Sequence, residues 1–421
     1  MLHRISKSTL TPEHASMIKP IEACVHCGFC LPTCPTYATM GDEMNSPRGR
    51  IFLIKETLEG RMASSDIEPF IDNCLGCLAC VSSCPSGVEY GELITPYRSW
   101  AEERRERPFL ESLQRKAILH TIPHPKRFRV ASKLASAFKP IAHRLPKGFG
   151  AMIELAPQRL PDRTDLEECY PATGSRKGRV ALLAGCAQQV LAPRINAAAI
   201  RVLNRHGIEV IVPQDQGCCG SLAMHIGESE AARKAALANI DAFPDDVDAI
   251  LTTAAGCGSG MKEYPHLFAG QPAERVEAAR SFTGKVKDIS EYLCEIGFVP
   301  PERPDTTPAT VAYHDACHLA HAQKIRSAPR QLLSAVAGIE IAEPAEWELC
   351  CGSAGSYNIE KPDTAKELGQ RKVANLQATG ADIIATGNIG CLAQIEFHSE
   401  KTRTPIPVVH TIELLDEAYW Q

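Results

Sequence analysis

The second half of the chain repeats one order of apolar and amphipathic segments. The first copy begins with the apolar run GRVALLAGC, which ends at Cys186, and the second begins with ATVAYHDAC, which ends at Cys317. Short runs of this kind are typical of buried strands. Segments with helical spacing follow both runs, so each copy is predicted to begin as a strand followed by a helix.

Further strands and helices complete each copy. The predicted helices are 193–206 and 229–243 in the first copy, and 327–337 and 363–378 in the second. The predicted later strands are 209–213 and a run ending at Cys257 in the first copy, and 340–344 and a run ending at Cys391 in the second. Equivalent cysteines lie 131, 132 and 134 residues apart (186 to 317, 218 to 350, 257 to 391), which indicates an internal duplication. Strand–helix alternation predicts a parallel sheet in each copy, with the cysteines converging at the carboxyl ends of strands.

The first hundred residues lack this alternation and predict helices instead. Ile51, Ile54 and Leu58 share one helical face, and Ser46-Pro47 is a typical helix start. The fold class is therefore α+β, with a helical N-terminal domain followed by a duplicated α/β domain with parallel strands. The predicted boundaries are 1–100 for the helical domain, 101–175 for a connector, 176–300 for the first repeat and 301–421 for the second.

The connector differs from the rest of the chain in charge. The formal net charge is −5, yet the stretch 112–150 holds nine basic residues and no acidic one. These are Arg115, Lys116, Lys126, Arg127, Arg129, Lys133, Lys139, Arg144 and Lys147. With phenylalanines interleaved, the stretch fits an anionic membrane surface or an acidic partner, and the alternative is a solvated linker with a few helical turns. The acidic net charge and the lack of a nucleic-acid-binding motif argue against nucleic acid.

Two runs of four cysteines carry the main chemical signal. Both runs have the spacing C-x2-C-x2-C-x3-C and end in Cys-Pro, which is the ligand run of bacterial two-cluster ferredoxins. They comprise Cys24, Cys27, Cys30 and Cys34, and Cys74, Cys77, Cys80 and Cys84. The fourth cysteine of such a run ligates the other cluster. We therefore predict two [4Fe–4S] clusters, one held by Cys24, Cys27, Cys30 and Cys84 and one by Cys74, Cys77, Cys80 and Cys34.

Structural zinc sites and disulfides are the alternatives for these cysteines. Zinc sites use cysteine or histidine pairs separated by a longer loop and do not need a third close cysteine or a Cys-Pro end. The first twenty residues lack the apolar core of a secretion signal, which favours metal binding in a reducing compartment over disulfides. No apolar run approaches the roughly 18 residues that span a bilayer.

Each repeat gathers four more cysteines into a second kind of candidate site. The sets are Cys186, Cys218, Cys219 and Cys257, and Cys317, Cys350, Cys351 and Cys391. Each double cysteine is followed by a glycine that permits a sharp turn, which favours a metal or cluster site over buried thiols. Nearby histidines and one aspartate are candidate ligands or proton carriers, with a structural role as the alternative: His225, His314, Asp315, His318 and His321. Cys169 and Cys294 belong to neither pattern, and we expect no metal there.

These segments together resemble the iron–sulfur subunit family of glycolate oxidase (glycolate dehydrogenase) over nearly the whole chain. The segments that carry the resemblance are ACVHCGFCLPTCPTY (23–37), GDEMNSPRGRIFLIKETLEG (41–60), CLGCLACVSSCPSGVEY (74–90), GCAQQVLAPRINAAAIRVL (185–203), GCCGSL (217–222), GCGSGMKEY (256–264), CCGSAGSY (350–357) and NIGCLAQ (388–394). Broader relatives are subunits of lactate-utilisation, glycerol-3-phosphate dehydrogenase and heterodisulfide reductase complexes.

The resemblance implies an electron-transfer role. An FAD-containing partner subunit oxidises glycolate to glyoxylate, and this chain passes the electrons on through its two clusters toward quinone. The implied location is the cytoplasm, peripheral on the cytoplasmic face of the inner membrane. The chain departs from the C-x-x-C ending of the heterodisulfide reductase relatives, since Gly260 and Gln394 stand where the last cysteine is expected. That departure puts a cluster with five thiolates in doubt and leaves an ordinary cluster or a single metal in each repeat.

Two other functions stay open from the sequence. A disulfide or thiol reductase that uses the double cysteines itself predicts activity from the chain alone, and a zinc-stabilised scaffold predicts a colourless protein. The sequence has neither the G-x-G-x-x-G nor the G-x-x-x-x-G-K-[ST] nucleotide-binding pattern, which places the flavin on another chain and favours electron transfer.

Overall fold

The computed structural model describes residues 5, 10, 11, 14–301 and 309–419. Its first part is helical, as predicted. The helices are α1 (Ile18–Ala23), α2 (Pro35–Met40), α3 (Pro47–Leu58), α4 (Ser64–Asp72), α5 (Ala79–Ser82) and α6 (Gly91–Glu102), with short 3₁₀ turns at Ala15–Met17 and Glu43–Asn45. The helix predicted around Ile51 is α3, and its first turn is capped by Ser46, whose Oγ accepts a hydrogen bond from the Gly49 amide at 3.0 Å.

The predicted connector is largely helical. It contains α7 (Phe109–Thr121), α8 (Pro125–Phe138), a 3₁₀ helix (Lys139–Arg144) and α9 (Lys147–Glu154). Arg115 of α7 is 7% exposed and joins this region to both repeats. Its guanidinium donates to the Ile226 carbonyl at 3.0 Å and pairs with Glu360 at 2.8 Å. The connector is therefore packed on both repeats, through a partly buried ion pair and a hydrogen bond of Arg115.

The first repeat is a five-stranded sheet with helices around it. The strands are β1 (Cys169–Tyr170), β2 (Gly178–Leu183), β3 (Ile208–Ile211), β4 (Ala249–Thr252) and β5 (Val286–Asp288), in the order β1-β3-β2-β4-β5. All neighbours are parallel except the edge pair of β1 and β3. The helices are α10 (Gln188–Leu191), α11 (Arg194–Arg205), α12 (Ser221–His225), α13 (Ser229–Ala242), α14 (Ala255–Lys262), α15 (Tyr264–Leu267), α16 (Ala273–Lys285) and α17 (Ile289–Glu295).

The second repeat has the same core. Its strands are β6 (Ala309–His314), β7 (Ile339–Ala342), β8 (Ile383–Thr386) and β9 (Val408–His410), in the order β7-β6-β8-β9, all parallel. Its helices are a π-helical turn (His318–Ala322), α18 (Ser327–Ala335), α19 (Tyr357–Glu360), α20 (Pro362–Gln377), α21 (Ile389–Ser399) and α22 (Thr411–Glu417). The order β7-β6-β8-β9 matches β3-β2-β4-β5, so the predicted fold class and duplication are confirmed.

The repeats contact each other at the carboxyl ends of their sheets. The amide of Ala255 donates to the Gly387 carbonyl at 3.1 Å, and the amide of Gly256 donates to Asn388 Oδ1 at 3.2 Å. These residues precede Cys257 and Cys391, so the contact brings together the N-terminal ends of α14 and α21, which carry the two cysteines. Residues 302–308, which follow the predicted boundary at 300/301, lie outside the described residues. Residues 420 and 421, at the end of the second repeat, also lie outside them.

The second ferredoxin-type run lies between two hydrophobic cores. Cys74 and Cys80 belong to the core of the helical domain. Leu75, Cys77 and Ala79 belong instead to the larger core formed with the two repeats. Because residues of this one loop belong to both cores, the loop fixes the helical domain against the repeats. Within the described ranges, none of the helices has both the length and the apolar character needed to cross a bilayer.

Candidate iron–sulfur sites

The two ferredoxin-type loops have the same backbone shape. His26 and Gly28 in the first loop have φ of 56° and 90°, and Gly76 and Leu78 at the equivalent positions of the second have φ of 65° and 61°. Left-handed residues at these four positions turn the chain tightly between successive cysteines. Two residues other than glycine accept this conformation, which costs free energy unless the surrounding structure requires it. The shared turn therefore indicates a shared task for both loops.

The first set of thiols gathers three cysteines of one run with the last cysteine of the other. Cys24, Cys27, Cys30 and Cys84 line one cavity, together with Cys80. Burial, with a smaller contribution from the nearby thiols of Cys24 and Cys34, raises the pKa of Cys30 to about 11. A metal that binds here must displace protons from such thiols. The convergence of Cys84 on the first loop matches the predicted crossed ligand set, and the donor set fits a [4Fe–4S] cluster.

The second set of thiols is deeper in the protein. Cys34, Cys74, Cys77 and Cys80 are all at most 9% exposed. Burial raises the pKa of Cys80 well above its usual value, and the proximity of Cys77, Cys74 and Cys34 adds to the effect. Cys34, the last cysteine of the first run, thus lies among the first three of the second. Four buried thiols without disulfide partners fit a cluster ligand set.

Arg50 of α3 supplies a buried positive charge beside the second set. It is 1% exposed, and its guanidinium lies 3.9 Å from Cys34 Sγ, donates to the Phe70 carbonyl at 2.7 Å and donates to Thr36 Oγ1 at 2.9 Å. Burial by itself would raise the pKa of Cys74, but the charges of Arg50 and Arg98 outweigh it and lower the pKa below its usual value. Arg50 therefore favours thiolate at the second set.

Histidines of both repeats hold the second loop. His318 Nε2 lies 3.2 Å from the Gly76 carbonyl oxygen, and the rings of His318 and His225 lie 5.0 Å apart. A Cβ atom at Gly76 would lie 3.0 Å from His225 Cε1, so close packing and the positive φ both favour glycine there. Burial lowers the pKa of both histidines, which keeps the rings neutral. His225 and His318 thus position the second loop.

The cysteines of the first repeat converge as predicted. Cys186 Sγ and Cys218 Sγ lie 3.6 Å apart, and Cys219 Sγ lies 3.2 Å from Ser221 Oγ. The thiol of Cys219 also interacts with Cys257, and hydrogen bonding from Cys218 lowers the pKa of Cys219 well below its usual value. Gly220 makes the turn after the double cysteine, with φ of 81°.

The cysteines of the second repeat converge in the same way and are more buried. Cys317 Sγ and Cys350 Sγ lie 4.0 Å apart, while Cys351 interacts with both Cys350 and Cys391. All four cysteines of this repeat are buried, whereas Cys186 and Cys257 of the first repeat are partly exposed. Cys77 of the second ferredoxin-type set interacts with Cys317 and Cys350. The second ferredoxin-type set and the cysteines of the second repeat are therefore neighbours.

The remaining predicted residues divide between structural and candidate ligand positions. Asp315 pairs with Arg330 at 2.6 Å, and His321 Nδ1 lies 2.7 Å from Ser82 Oγ, so both are held by protein contacts. His314 lies with Cys351 and Cys391 in a buried group whose ligand atoms are within 4.8 Å of one another. Cys294 Sγ lies 3.6 Å from the Ala328 carbonyl, and Cys169 is exposed in β1.

Sequence reasoning missed two buried cations. Arg50 interrupts the apolar face of α3, and that interruption was its only signal in the sequence. Lys372 of α20 is 2% exposed, and its ammonium donates to the Glu346 carbonyl at 2.6 Å near the second-repeat cysteines. In the sequence it is one lysine among many on an amphipathic helix, so its burial was visible only in the fold.

Comparison with known families finds two domain types. Residues 20–88 match the 4Fe-4S dicluster domain, and residues 180–262 and 311–396 match the cysteine-rich domain twice. The first range contains both ferredoxin-type runs, so the chain carries the domain that binds two [4Fe–4S] clusters. The other two ranges cover the central strands of the duplicated sheets.

Curated relatives match over nearly the full length. The chain is 36% identical to a probable glycolate oxidase iron–sulfur subunit of Bacillus subtilis, over 94% of this chain and 93% of that protein. It is 34% identical to the glycolate oxidase iron–sulfur subunit of Escherichia coli, over 94% of each. Lactate utilization protein A of Shouchella clausii is 30% identical over 56% of this chain and 98% of that protein.

A solved structure shares the fold. The crystal structure of a hypothetical protein from Helicobacter pylori aligns with a TM-score of 0.56 at 10% sequence identity, over 99% of this chain and 73% of that one. At this identity the likeness concerns the fold alone.

Proposed function

We propose that this chain, which belongs to the family of glycolate oxidase iron–sulfur subunits, carries electrons from an FAD-containing dehydrogenase subunit toward membrane quinone. The observation that carries the proposal is the pair of crossed thiol sets, one at the surface and one buried against the repeats. When bound, the two [4Fe–4S] clusters supply one-electron carriers. The proposed ligands are Cys24, Cys27, Cys30 and Cys84 for the outer cluster, and Cys34, Cys74, Cys77 and Cys80 for the inner one.

The partner subunit is proposed to dock over the first ferredoxin-type loop. Cys27 is exposed, and the neighbouring Val25 and Phe29 are each 67% exposed. Apolar side chains around an accessible ligand loop are typical of the centre of a protein interface, where they exclude water. The inner thiol set has no comparable access to solvent, so the outer set is the proposed point of electron entry.

Introduction of negative charge at the apolar pair tests this docking site. We expect V25E/F29E to keep its iron but to bind the FAD-containing subunit at least about tenfold more weakly, because burial of one such side chain contributes roughly 1.5–3 kcal/mol. Affinity between the purified subunits measures the effect. Val299, which is 66% exposed, offers the matched control V299E. Equal affinity for V25E/F29E and the wild type would place the partner elsewhere.

The membrane is proposed to bind α8. Val130, Leu134 and Phe138 form an apolar stripe along its exposed side, with exposed fractions of 58%, 60% and 50%. Lys126, Arg127 and Lys133 are exposed on the same helix. An apolar stripe flanked by cations is the pattern of a helix that lies in an anionic membrane surface. Such contact would hold the protein at the cytoplasmic face of the inner membrane, which is its proposed location.

Removal of the three exposed cations of α8 tests this surface. K126Q/R127Q/K133Q should bind anionic phosphatidylglycerol vesicles about 100-fold more weakly, since each cation near the surface contributes about 1 kcal/mol. Arg129 is left unchanged because its guanidinium donates to the Pro161 carbonyl at 2.8 Å. Vesicle sedimentation at low and high salt measures the effect, and binding should weaken as salt rises.

A control variant separates local binding from net charge. Lys234, Arg275 and Arg280 are exposed on other helices, and K234Q/R275Q/R280Q removes the same charge there. If both triple variants lose vesicle binding equally, the effect belongs to net charge and α8 is not the membrane surface.

The substrate of the complex is proposed to be glycolate. The relatives matched over the full length are glycolate oxidase subunits, whereas the lactate utilization protein aligns over about half of this chain. Turnover of the purified complex with glycolate and with lactate decides between them. A preference for lactate would assign the chain to a lactate-oxidising complex without changing the electron-transfer role.

A further inference from the structure

We propose that the second cysteine-rich repeat holds a thiophilic metal centre, of iron or zinc, in which His314 is a ligand beside the cysteine thiolates. The first repeat has no equivalent ligand. This site goes beyond the two clusters of the proposed function and does not depend on the identity of the partner or of the substrate.

His314 is a buried imidazole without a protein partner. It is 1% exposed, and neither Nδ1 nor Nε2 has a hydrogen-bond partner among the residues that the structure describes. A buried polar group that makes no hydrogen bond costs about 1–3 kcal/mol, so such groups are rare without a role. A neutral imidazole offers a nitrogen lone pair to a metal.

The unpartnered ring is directed at thiols. A ligand nitrogen of His314 and the sulfurs of Cys351 and Cys391 lie within 4.8 Å of one another, and all three residues are buried. Cys350 interacts with Cys351, and Cys317 Sγ lies 4.0 Å from Cys350 Sγ. Sulfur and imidazole nitrogen in one compact group suit zinc and iron, whereas oxygen ligands would favour magnesium or calcium.

The first repeat replaces this histidine with an apolar residue. Leu183 on β2 pairs in register with Thr252, and His314 on β6 pairs in register with Thr386, so Leu183 and His314 occupy equivalent positions. Leu183 is 1% exposed and belongs to a hydrophobic core. The duplication therefore provides its own internal control, in which the same strand end carries a ligand in one copy and a core side chain in the other.

The two repeats also differ in the charge beside their cysteines, and the second repeat again has the residue that suits a metal site. Gly220 and Gly352 contact α13 and α20 at Ala232 and Ala365, which aligns Asn239 with Lys372. Asn239 is neutral and donates to the Cys218 carbonyl at 3.0 Å. Lys372 is 2% exposed and interacts electrostatically with Cys350 and Cys351. A buried cation compensates thiolate charge, which the second repeat needs if its cysteines ligate a metal.

Metal analysis of H314L tests the site, since leucine is the residue of the first repeat. In anaerobically purified wild-type protein we expect iron or zinc beyond the about eight irons of two [4Fe–4S] clusters. H314L should lose that excess and keep the eight irons. H398L replaces another buried histidine of the same repeat, which lies 3.3 Å from Gln394, and should keep the excess. The ratio of iron to zinc identifies the metal.

Two results would overturn the site. One is wild-type protein with eight irons and no further iron or zinc; the other is H314L with the same excess as the wild type. If H314L folds poorly, X-ray absorption of the wild type at the edge of the excess metal decides. A nitrogen neighbour beside sulfur supports His314 as a ligand, and a shell of sulfur alone contradicts it.

Discussion

Cys34→Ser is expected to remove the inner cluster and to stop electron transfer from substrate to quinone. This is expected although Cys34 is the last cysteine of the run whose first three cysteines are assigned to the outer cluster. The reason is the crossed arrangement, in which Cys34 lies among Cys74, Cys77 and Cys80. Loss of one thiolate should leave about four fewer irons per chain. The proposed FAD-containing partner should still oxidise glycolate with an artificial acceptor, because under the proposed function the substrate site lies on that other chain.

Two companion variants make this prediction specific. Cys84→Ser should remove the outer cluster instead, so its EPR spectrum after reduction should be complementary to that of Cys34→Ser. Cys169→Ser replaces an exposed cysteine outside both thiol sets and should leave iron content and turnover unchanged. If Cys34→Ser loses the same signal as Cys24→Ser, the crossed ligand sets are wrong. Undiminished turnover with quinone in Cys34→Ser would contradict the electron-transfer role.

Arg50→Met is expected to lower the midpoint potential of the inner cluster by on the order of 100 mV. One charge about 5 Å away contributes about 3 kcal/mol at an effective dielectric of about 20, and about 2.3 kcal/mol corresponds to 100 mV for one electron. Loss of the cation disfavours the reduced cluster, which is the more negative form, so the midpoint potential should fall. A redox titration followed by EPR measures the shift, and Arg50→Lys should recover part of it.

Arg48 offers a matched comparison at the outer cluster. Its side chain is 31% exposed, and it pairs with Glu43 at 2.6 Å. Solvent screening and this ion pair weaken its influence, so Arg48→Met should shift the outer cluster much less than Arg50→Met shifts the inner one. Equal shifts in the two variants would show that burial of Arg50 does not set the potential.

The fold was largely predictable because local patterns and global topology agree. Short apolar runs predicted the central strands β2, β4, β6 and β8, since buried parallel strands are continuously apolar. The strands end before the cysteines to which the runs extend, and Cys257 and Cys391 lie in the helices that follow. The edge strands β5 and β9 were missed. Each has only three residues and continues directly into a helix, so neither the periodicity nor the length of its apolar residues indicated a strand.

The candidate sites were predictable only where the spacing of cysteines along the sequence determines the ligand set. The C-x2-C-x2-C-x3-C run implies crossed ligation by its own geometry, and the gathering of Cys84 with Cys24 agrees with it. The grouping of His314 with Cys351 and Cys391 depends on the end of β6, the loop after β7 and the first turn of α21 meeting, which no local pattern encodes. The apolar stripe of α8 also needed the fold, because the sequence does not reveal which side of a helix is left uncovered.

Iron and acid-labile sulfide content, with EPR after full reduction of the anaerobically purified chain, tests the central claim most directly. Two neighbouring [4Fe–4S] clusters predict at least about eight irons and eight sulfides per chain, together with a spectrum split by spin coupling between the two reduced clusters. Zinc in place of iron, about four irons, or two signals without coupling would contradict a paired electron-transfer centre.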